Sequence, residues 1–255
     1  MSEHTAAEHA PESPTPAEQA LVRSLQLLWE GLPENSRGPR ASLTLPQIIT
    51  AAIEIADAEG LSALSMRRLA KELGVGTMSL YRYVPGKSEL LNLMLDHMIA
   101  LETDLPQGSW RELVEASAHS SRRLYLDHPW LLQVNWSRAA MGPNSIANMD
   151  VMVSALLELP ISDQERIMLV SLIDGYVTGS VRQEIQYESS ASDYGVSDDQ
   201  FWTLQLPWLK RAMASGRYPA MAQLGDDAYT GGWDEQFAYG LRMLLDGIEQ
   251  DISRR

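Results

Sequence analysis

Residues Leu64 to Leu90 read LSMRRLAKELGVGTMSLYRYVPGKSEL, which is two short helical patterns separated by a glycine turn. Ser65 is a favourable N-cap residue for the first pattern. The run Gly74–Gly76 supplies two residues that accept positive φ angles, as a tight turn requires. A second short helix is predicted from Thr77 to Tyr83, and Pro85 disfavours its continuation. Two helices joined by such a turn predict a helix-turn-helix.

Positive charge is concentrated in this stretch although the whole 255-residue chain carries a formal net charge of -14. Between Ser65 and Ser88 there are five cations and one acid, Glu72, a local net charge of +4. The cations are Arg67, Arg68, Lys71, Arg82 and Lys87. A small basic surface on an acidic protein favours binding to DNA in one orientation. An ordinary helical hairpin with a solvated charged face is the alternative.

The residues AAIEIADAEGLSALSMRRLAKELGVGTMSLYRYVPGKSELLNLMLDHM, within Leu45–Ile99, closely resemble the DNA-binding domain of TetR-type (tetracycline-repressor-like) transcriptional regulators. The pattern MRRLAKELGV…SLYRYVPGKSELL is highly specific to that family. A weaker resemblance lies at the C-terminus, where FAYGLRMLLDGIEQDI is similar to the closing helix of the subgroup nearest the tetracycline repressor itself. The middle of the chain, about 105–230, carries no recognisable signature.

The resemblance implies an all-α homodimer, with an N-terminal three-helix DNA-binding unit and a larger helical domain for effector binding and dimerisation. It implies phosphate contacts from Arg67 and Lys87. It places in the major groove the recognition-helix residues Thr77, Met78, Ser79, Tyr81, Arg82 and Tyr83. Arg82 is the strongest candidate base reader, because a guanidinium group can bind guanine O6 and N7 together.

The predicted organisation is an N-terminal extension over residues 1–40, a DNA-binding domain over 41–100 and a helical body over 101–255. Strand patterns are missing along the chain. Arg37 and Arg40 suit a basic arm that enters a minor groove, although a disordered tail with incidental arginines explains them equally well. There is no cysteine, no apolar run of membrane-spanning length and no signal pattern, so the protein is expected to be cytoplasmic.

Further helices are predicted near 108–127, 144–158, 162–188, 198–215 and 233–252, with prolines between them and a polar loop at ESSASDYGVSDD. This body is rich in aromatic and methionine side chains, which suggests a bulky, mostly apolar effector. The candidate lining residues are Tyr125, Trp130, Trp136, Met141, Met152, Tyr176, Gln183 and Trp202. Simple core packing is the competing explanation for each of them.

Two helical stretches are candidates for the dimer surface. Glycines four residues apart permit close helix approach, and an apolar face recurs in the last helix. The candidate interface residues are Gly175, Gly179, Leu241, Leu244, Leu245 and Ile248. Two such helices packing against their symmetry mates form a four-helix bundle. Burial of both helices inside one subunit is the alternative.

Competing classes of protein are an enzyme and a helical module that binds a partner protein. The chain has no glycine-rich phosphate loop, Gly-x-Ser-x-Gly elbow or His-Glu-x-x-His pair. Its histidines lack metal-ligand spacing, so no metal or cofactor is expected. The favoured prediction is therefore a DNA-binding regulator, most often a repressor in this family, that binds a palindromic operator and is released by a small effector. The protein-binding module is separated from it by salt dependence, which is steep for a phosphate binder.

Overall fold

The computed structural model describes residues 14–32, 43–100, 108–225, 228 and 231–255. Over these residues every regular element is helical and no strand occurs, so the all-α prediction is confirmed. The chain divides into two compact units. The first contains the described residues up to Ala100 together with Gln133–Met149, and the second contains Gly108–Leu132 and the residues from Asp150 onwards.

The first unit contains five complete α-helices. They are α1 (Pro16–Trp29), α2 (Leu45–Glu59), α3 (Met66–Glu72), α4 (Thr77–Leu80) and α5 (Lys87–Ile99). Segment Gln133–Met149 packs with them, although the sequence alone assigned it to the body. It contains a 3₁₀ turn at Trp136–Arg138 and the start of α7 (Pro143–Leu156).

The core of the first unit is built by the apolar faces of α2, α3 and α5. Thr44 and Gln47 form a capping box at the start of α2. Ile48, Leu69 and Leu90 are completely buried, and each such side chain contributes roughly 1.5–3 kcal/mol relative to an exposed one. This buried layer holds the helix-turn-helix in place.

Helix α1 does not bury the apolar face that its sequence indicates. That face would run through Leu21, Leu25, Leu28 and Trp29, which lie at helical spacing. Instead Leu21 is 43% exposed and Trp29 is 55% exposed, whereas Ser24 is completely buried. The Ser24 hydroxyl accepts a hydrogen bond from Asn92 Nδ2 at 2.9 Å. The face of α1 that packs against α5 therefore includes the hydrogen bond between Ser24 and Asn92.

The second unit contains the end of α7 and four further helices. These are α6 (Trp110–Asp127), α8 (Asp163–Tyr194), α9 (Asp198–Ala214) and α10 (Trp233–Ser253). The loop predicted from Glu188 is wrong up to Tyr194, because α8 continues to Gly195, whose φ of 65° ends the helix. Pro207 was expected to separate helices, but it lies inside α9.

Helices α6 and α8 are joined by a buried ion pair, which also contacts an exposed carboxylate of α10. Arg122 of α6 donates through Nη2 to both carboxylate oxygens of Glu184 on α8, at 3.0 and 2.8 Å. Its Nη1 lies 2.8 Å from Asp234 of α10. Because Arg122 and Glu184 are both more than nine-tenths buried, removal of one partner would leave an uncompensated charge.

Glycine permits the close crossing of α8 and α10. A Cβ atom added at Gly240 would overlap the ring of Tyr176. The Tyr176 hydroxyl donates to the Phe237 carbonyl oxygen at 2.7 Å, and burial raises the pKa of this phenol. Gly240 is therefore part of the packing within one chain.

A search of the described helices finds none that is long and apolar enough to cross a membrane. Within the same residues, no three histidine, aspartate or glutamate side chains are grouped as a metal site would require.

Candidate nucleic-acid interface and body surface

The turn between α3 and α4 forms as the sequence predicts. The Ser65 hydroxyl accepts from the Arg68 amide at 3.1 Å and caps α3. Gly74 has a φ of 65°, in the left-handed region that glycine favours. The amide of Val75 then donates back to the Ala70 carbonyl at 3.0 Å and closes the helix end. These bonds direct the chain into α4.

The second helix of the motif is shorter than predicted. It ends at Leu80 rather than Tyr83, and four residues rise only about 6 Å. Hydrogen bonds of the tighter three-residue type continue from Arg82 to Ser79 and from Tyr83 to Leu80. Pro85 follows these bonds and stops the helix, as the sequence predicts. Only the last turn differs from the prediction, because it is tighter than an α-helix.

Side chains of α4 and its following turn separate into an inner and an outer set. Leu80 and Val84 are completely buried. Met78 is 78% exposed and Tyr81 is 41% exposed, with Arg82 exposed beside them. The remaining predicted contacts, Thr77, Ser79 and Tyr83, are half-buried. The structure thus brings all six candidate recognition residues together on one short stretch.

One of the five cations of the stretch is already neutralised. Arg68 Nη2 lies 2.7 Å from Glu59 Oε1, and Arg68 Nη1 lies 2.6 Å from Glu72 Oε2. These hydrogen bonds raise the pKa of Arg68, and the bond to Arg68 lowers the pKa of Glu59. Sequence reasoning missed Glu59, because its contact with Arg68 spans the turn between α2 and α3.

The other cations remain at the surface. Arg67, Lys71 and Arg82 are exposed, and within the described residues they have no carboxylate within 4 Å. Lys87 is exposed as well, but its ammonium donates to the carbonyl oxygens of Leu61 and Leu64, at 3.2 and 2.7 Å. Arg67 and Lys87 stay predictions as phosphate contacts, with Lys87 required to share its donors.

A buried carboxylate that sequence reasoning missed connects α5 to α7. Asp96 is 3% exposed and accepts from the amide and hydroxyl of Ser145, at 2.9 and 2.7 Å, and from the Asn144 amide at 3.3 Å. A Cβ atom at Gly142 would overlap this carboxylate. Asp96 therefore caps the first turn of α7 from a neighbouring helix, a contact without a local sequence pattern.

The eight candidate effector residues fall on both units. Trp136, half-buried, and Met141, 51% exposed, belong to the first unit. The others belong to the second unit. Of these, Tyr125, Trp130 and Met152 are buried, Tyr176 is half-buried, and Gln183 and Trp202 are exposed. Their role in effector binding stays a prediction.

The second unit contains a small apolar pocket and an open groove. The pocket, of about 10 Å³, is lined by residues that include Met152, Trp110 and Ile173, and has room for about one water molecule. The groove, of about 420 Å³, runs between the first half of α8 and the second half of α10. Met168, Leu172, Met243, Leu244 and Gly247 contribute to its walls.

The six candidate dimer residues fall on two different faces. Leu241, Leu245 and Ile248 are buried within the chain. Leu244 is half-buried and lines the groove. Gly175 and Gly179 are exposed, and a Cβ atom at either would meet no heavy atom within 4 Å. These two glycines and Leu244 therefore lie where a second chain could reach them.

Comparison with known proteins finds two family matches. Residues 48–94 match "Bacterial regulatory proteins, tetR family", and residues 102–252 match "Tetracyclin repressor-like, C-terminal domain". Among curated proteins, the chain is 45% identical over 238 residues to the HTH-type transcriptional repressor DrrR1 of Streptomyces coeruleorubidus, covering 92% of this chain and 88% of that one.

Solved structures of ActR from Streptomyces coelicolor have a similar fold. Apo ActR aligns with a TM-score of 0.69 at 30% identity, covering 84% of this chain and 99% of the other. The complex of ActR with actinorhodin aligns with a TM-score of 0.67 at 31% identity, covering 83% and 99%.

Proposed function

The chain belongs to the tetR family of bacterial regulatory proteins, and we propose that it is a repressor that binds a palindromic operator as a homodimer. Members of this family regulate transcription and are not enzymes. The observation that carries the proposal is the outward face of α4, where Met78, Tyr81 and Arg82 are exposed above the buried Leu80 and Val84. The 45% identity to a repressor, DrrR1, supports repression rather than activation.

Electrostatics supports docking of this face on DNA. Arg67 and Lys71 of α3 and Arg82 after α4 are exposed and form no ion pair within 4 Å in the described part of the chain. The exposed cations suit phosphate oxygens, and Arg82 suits a guanine edge. Because the rest of the protein is acidic, other orientations on DNA would be repelled.

The test is selection of duplexes from a random DNA pool by the purified protein, followed by a gel shift at several salt concentrations. We expect a palindromic motif. If Arg67 and Lys87 contact phosphate in each of two subunits, the slope of log affinity against log salt should be about -0.9 per contact, or roughly -4. Absence of any selected motif, or binding insensitive to salt, would contradict DNA regulation and favour a hairpin that binds protein.

Dimerisation is proposed to use the exposed face of α8 and α10. Met168 and Leu172 on α8 and Met243 on α10 are 56%, 45% and 49% exposed. They flank the open groove, and the open space above Gly175 and Gly179 would let a second α8 approach closely. Two copies of this face form the four-helix arrangement that a twofold axis requires.

A small, largely apolar effector is proposed to control DNA binding. The body matches the C-terminal domain of tetracycline-repressor-like proteins, and ActR has been solved with actinorhodin bound. Aromatic side chains are also plentiful outside the core: Phe201, Trp202 and Trp208 of α9 are 48%, 40% and 68% exposed. Such surfaces bind flat apolar molecules or another subunit.

Compounds that abolish the gel shift would identify the effector class. We expect hits to be apolar and aromatic, and to quench tryptophan fluorescence of the protein without DNA. A set of hits confined to small, highly charged metabolites would contradict the apolar assignment while leaving the DNA result intact.

A further inference from the structure

Helix α1 lies outside both family matches, which begin at residues 48 and 102, yet it packs directly on α5. Arg23 of α1 places Nε 2.8 Å from Glu89 Oε1 in the first turn of α5. The Glu89 side chain is only 3% exposed, whereas that of Arg23 is 41% exposed. A carboxylate this buried needs a charged partner, so α1 is connected to the start of the helix that follows the helix-turn-helix.

A second connection passes through one amide side chain. Asn92 of α5 donates through Nδ2 to the Ser24 hydroxyl at 2.9 Å, and its Oδ1 accepts from the Ala140 amide at 2.9 Å. Asn92 thus joins α1, α5 and segment Gln133–Met149 at one point. Ser24 is fully buried and also donates to the Ala20 carbonyl oxygen, so its orientation is fixed.

The end of α1 contacts the same segment directly. Trp29 Nε1 donates to the carbonyl oxygen of Met141 at 3.1 Å. The two contacts, at Ala140 and Met141, immediately precede Gly142, which packs against Asp96. Residues 140–145 are therefore held by α1 and α5 together.

Residues 140–145 belong to one domain by sequence and to the other unit in the structure. By sequence they lie within residues 102–252, which match the C-terminal domain of the family. In the structure they are part of the first unit, and they continue along the chain into the body through α7. The contacts of α1 thus act on the place where the C-terminal domain of the sequence meets α5.

We propose that α1 is a brace, which fixes α5 against residues 140–145 and thereby sets the half-site spacing that the dimer accepts. Since α5 starts at Lys87, shortly after the recognition stretch, any displacement of α5 moves α4 with it. One base pair corresponds to about 3.4 Å along DNA, so small displacements decide which spacing fits. This inference rests on the proposed function.

The test uses full-length protein and palindromic duplexes recovered with the wild-type chain, with one base pair inserted or removed at the centre. The brace variant is Ser24→Ala combined with Trp29→Phe, which removes two hydrogen-bonding groups and retains an aromatic ring. The matched control is Val22→Ala on the same helix, where the native side chain is 52% exposed. Hydrogen exchange of residues 139–145 is measured on the DNA-free proteins.

We expect the brace variant to exchange faster over 139–145 and to tolerate altered spacing. The ratio of affinities for the native and altered duplexes should shrink by about fivefold or more, the lower end of typical coupling between sites. The control should match the wild type. If the double variant loses its cooperative melting transition, Trp29→Phe alone is judged by the same criteria.

Faster exchange with an unchanged spacing preference would overturn the proposal, because α1 would then hold the segment without governing spacing. Unchanged exchange would overturn it as well, because no brace would exist. If the wild type selects no duplex, the proposed function fails, and the spacing role fails with it. The exchange experiment, which needs no DNA, tells that failure apart from the absence of a brace.

Discussion

The helix-turn-helix of the first unit and helices α8 to α10 of the second expose different mixtures of side chains. In the first, the helix-turn-helix buries Leu69, Leu80 and Val84 completely and presents cations around α4. In the second, apolar side chains of α8, α9 and α10 lie at the surface, with Trp208 at 68% exposure and Tyr239 at 61%. An exposed cationic surface suits a polyanion, whereas exposed apolar patches indicate a protein or ligand partner. The difference supports the proposal that the first unit binds DNA and that the second contacts a subunit or an effector.

The largest expected effect comes from charging the apolar surface of the second unit. Leu172→Glu should give a folded monomer and weaken dimerisation by at least about 2 kcal/mol per copy, as loss of a central interface side chain does. Analytical ultracentrifugation measures the change. Leu157→Glu, at a position 58% exposed but not in the groove wall, is the matched control. Unfolding of Leu172→Glu, or a dimer of unchanged affinity, would contradict the assignment.

Glycines of the second unit allow a sharper comparison. Gly240→Ala forces a methyl group into the Tyr176 ring, so we expect a loss of about 1–3 kcal/mol from overpacking. Gly179→Ala meets open space and should stabilise the isolated chain by up to about 1 kcal/mol through helix propensity. Urea unfolding at low protein concentration measures both.

The same alanine should nevertheless weaken the dimer if two α8 helices approach at Gly179. A Gly179→Ala protein that dimerises as tightly as the wild type would place the approach elsewhere on the surface.

The effect of removing a cation of the first unit on DNA affinity should depend on whether that cation already has an ion-pair partner. Arg82→Ala should cost about 1–3 kcal/mol of operator affinity, concentrated at one base pair. Arg68→Ala is the comparison, because this cation already binds Glu59 and Glu72, so any loss it causes should fall equally on all DNA sequences. Selection of duplexes by each variant measures the effect. Equal losses on all DNA sequences would make Arg82 a phosphate contact only.

The smallest effect concerns an ion pair at the rim of the groove. The bond to Arg255, and then those to Ser162, lower the pKa of Glu165 from 4.5 to about 2. Because the pKa of Glu165 is depressed in the folded state, the stability that these bonds give the fold is fully present above about pH 4.5. It is lost as the pH falls towards 2. Glu165→Gln should therefore flatten the fall in melting temperature over this range. An identical pH profile for both proteins would show that the pair contributes nothing.

Local patterns made the helix-turn-helix predictable. The cap at Ser65, the glycine at 74 and the proline at 85 each act within a few residues, so their signals are visible in the sequence. The α-helical extent of α4 was overestimated by three residues, because tightening of a last turn has no distinct residue pattern.

Contacts between distant residues were not predictable in the same way. The pairing of Arg68 with Glu59, the cap that Asp96 gives α7 and the bond between Ser24 and Asn92 join positions 9 to 68 residues apart. The dimer candidates show the same limit. Leu241 and Leu245 were candidates for the dimer interface, yet they are buried within the chain, because whether an apolar face is covered by its own chain or by a second one depends on tertiary packing.

In the short stretch around α4, the residues that determine folding are different from the residues that face outward. Leu80 and Val84 fix how the stretch folds, while Met78 and Arg82 have few neighbours of their own. Exchanging the latter pair should redirect the protein to a different stretch of genome at almost no cost in folding. On the proposed function, new regulatory targets are therefore accessible to this scaffold through changes at these two codons.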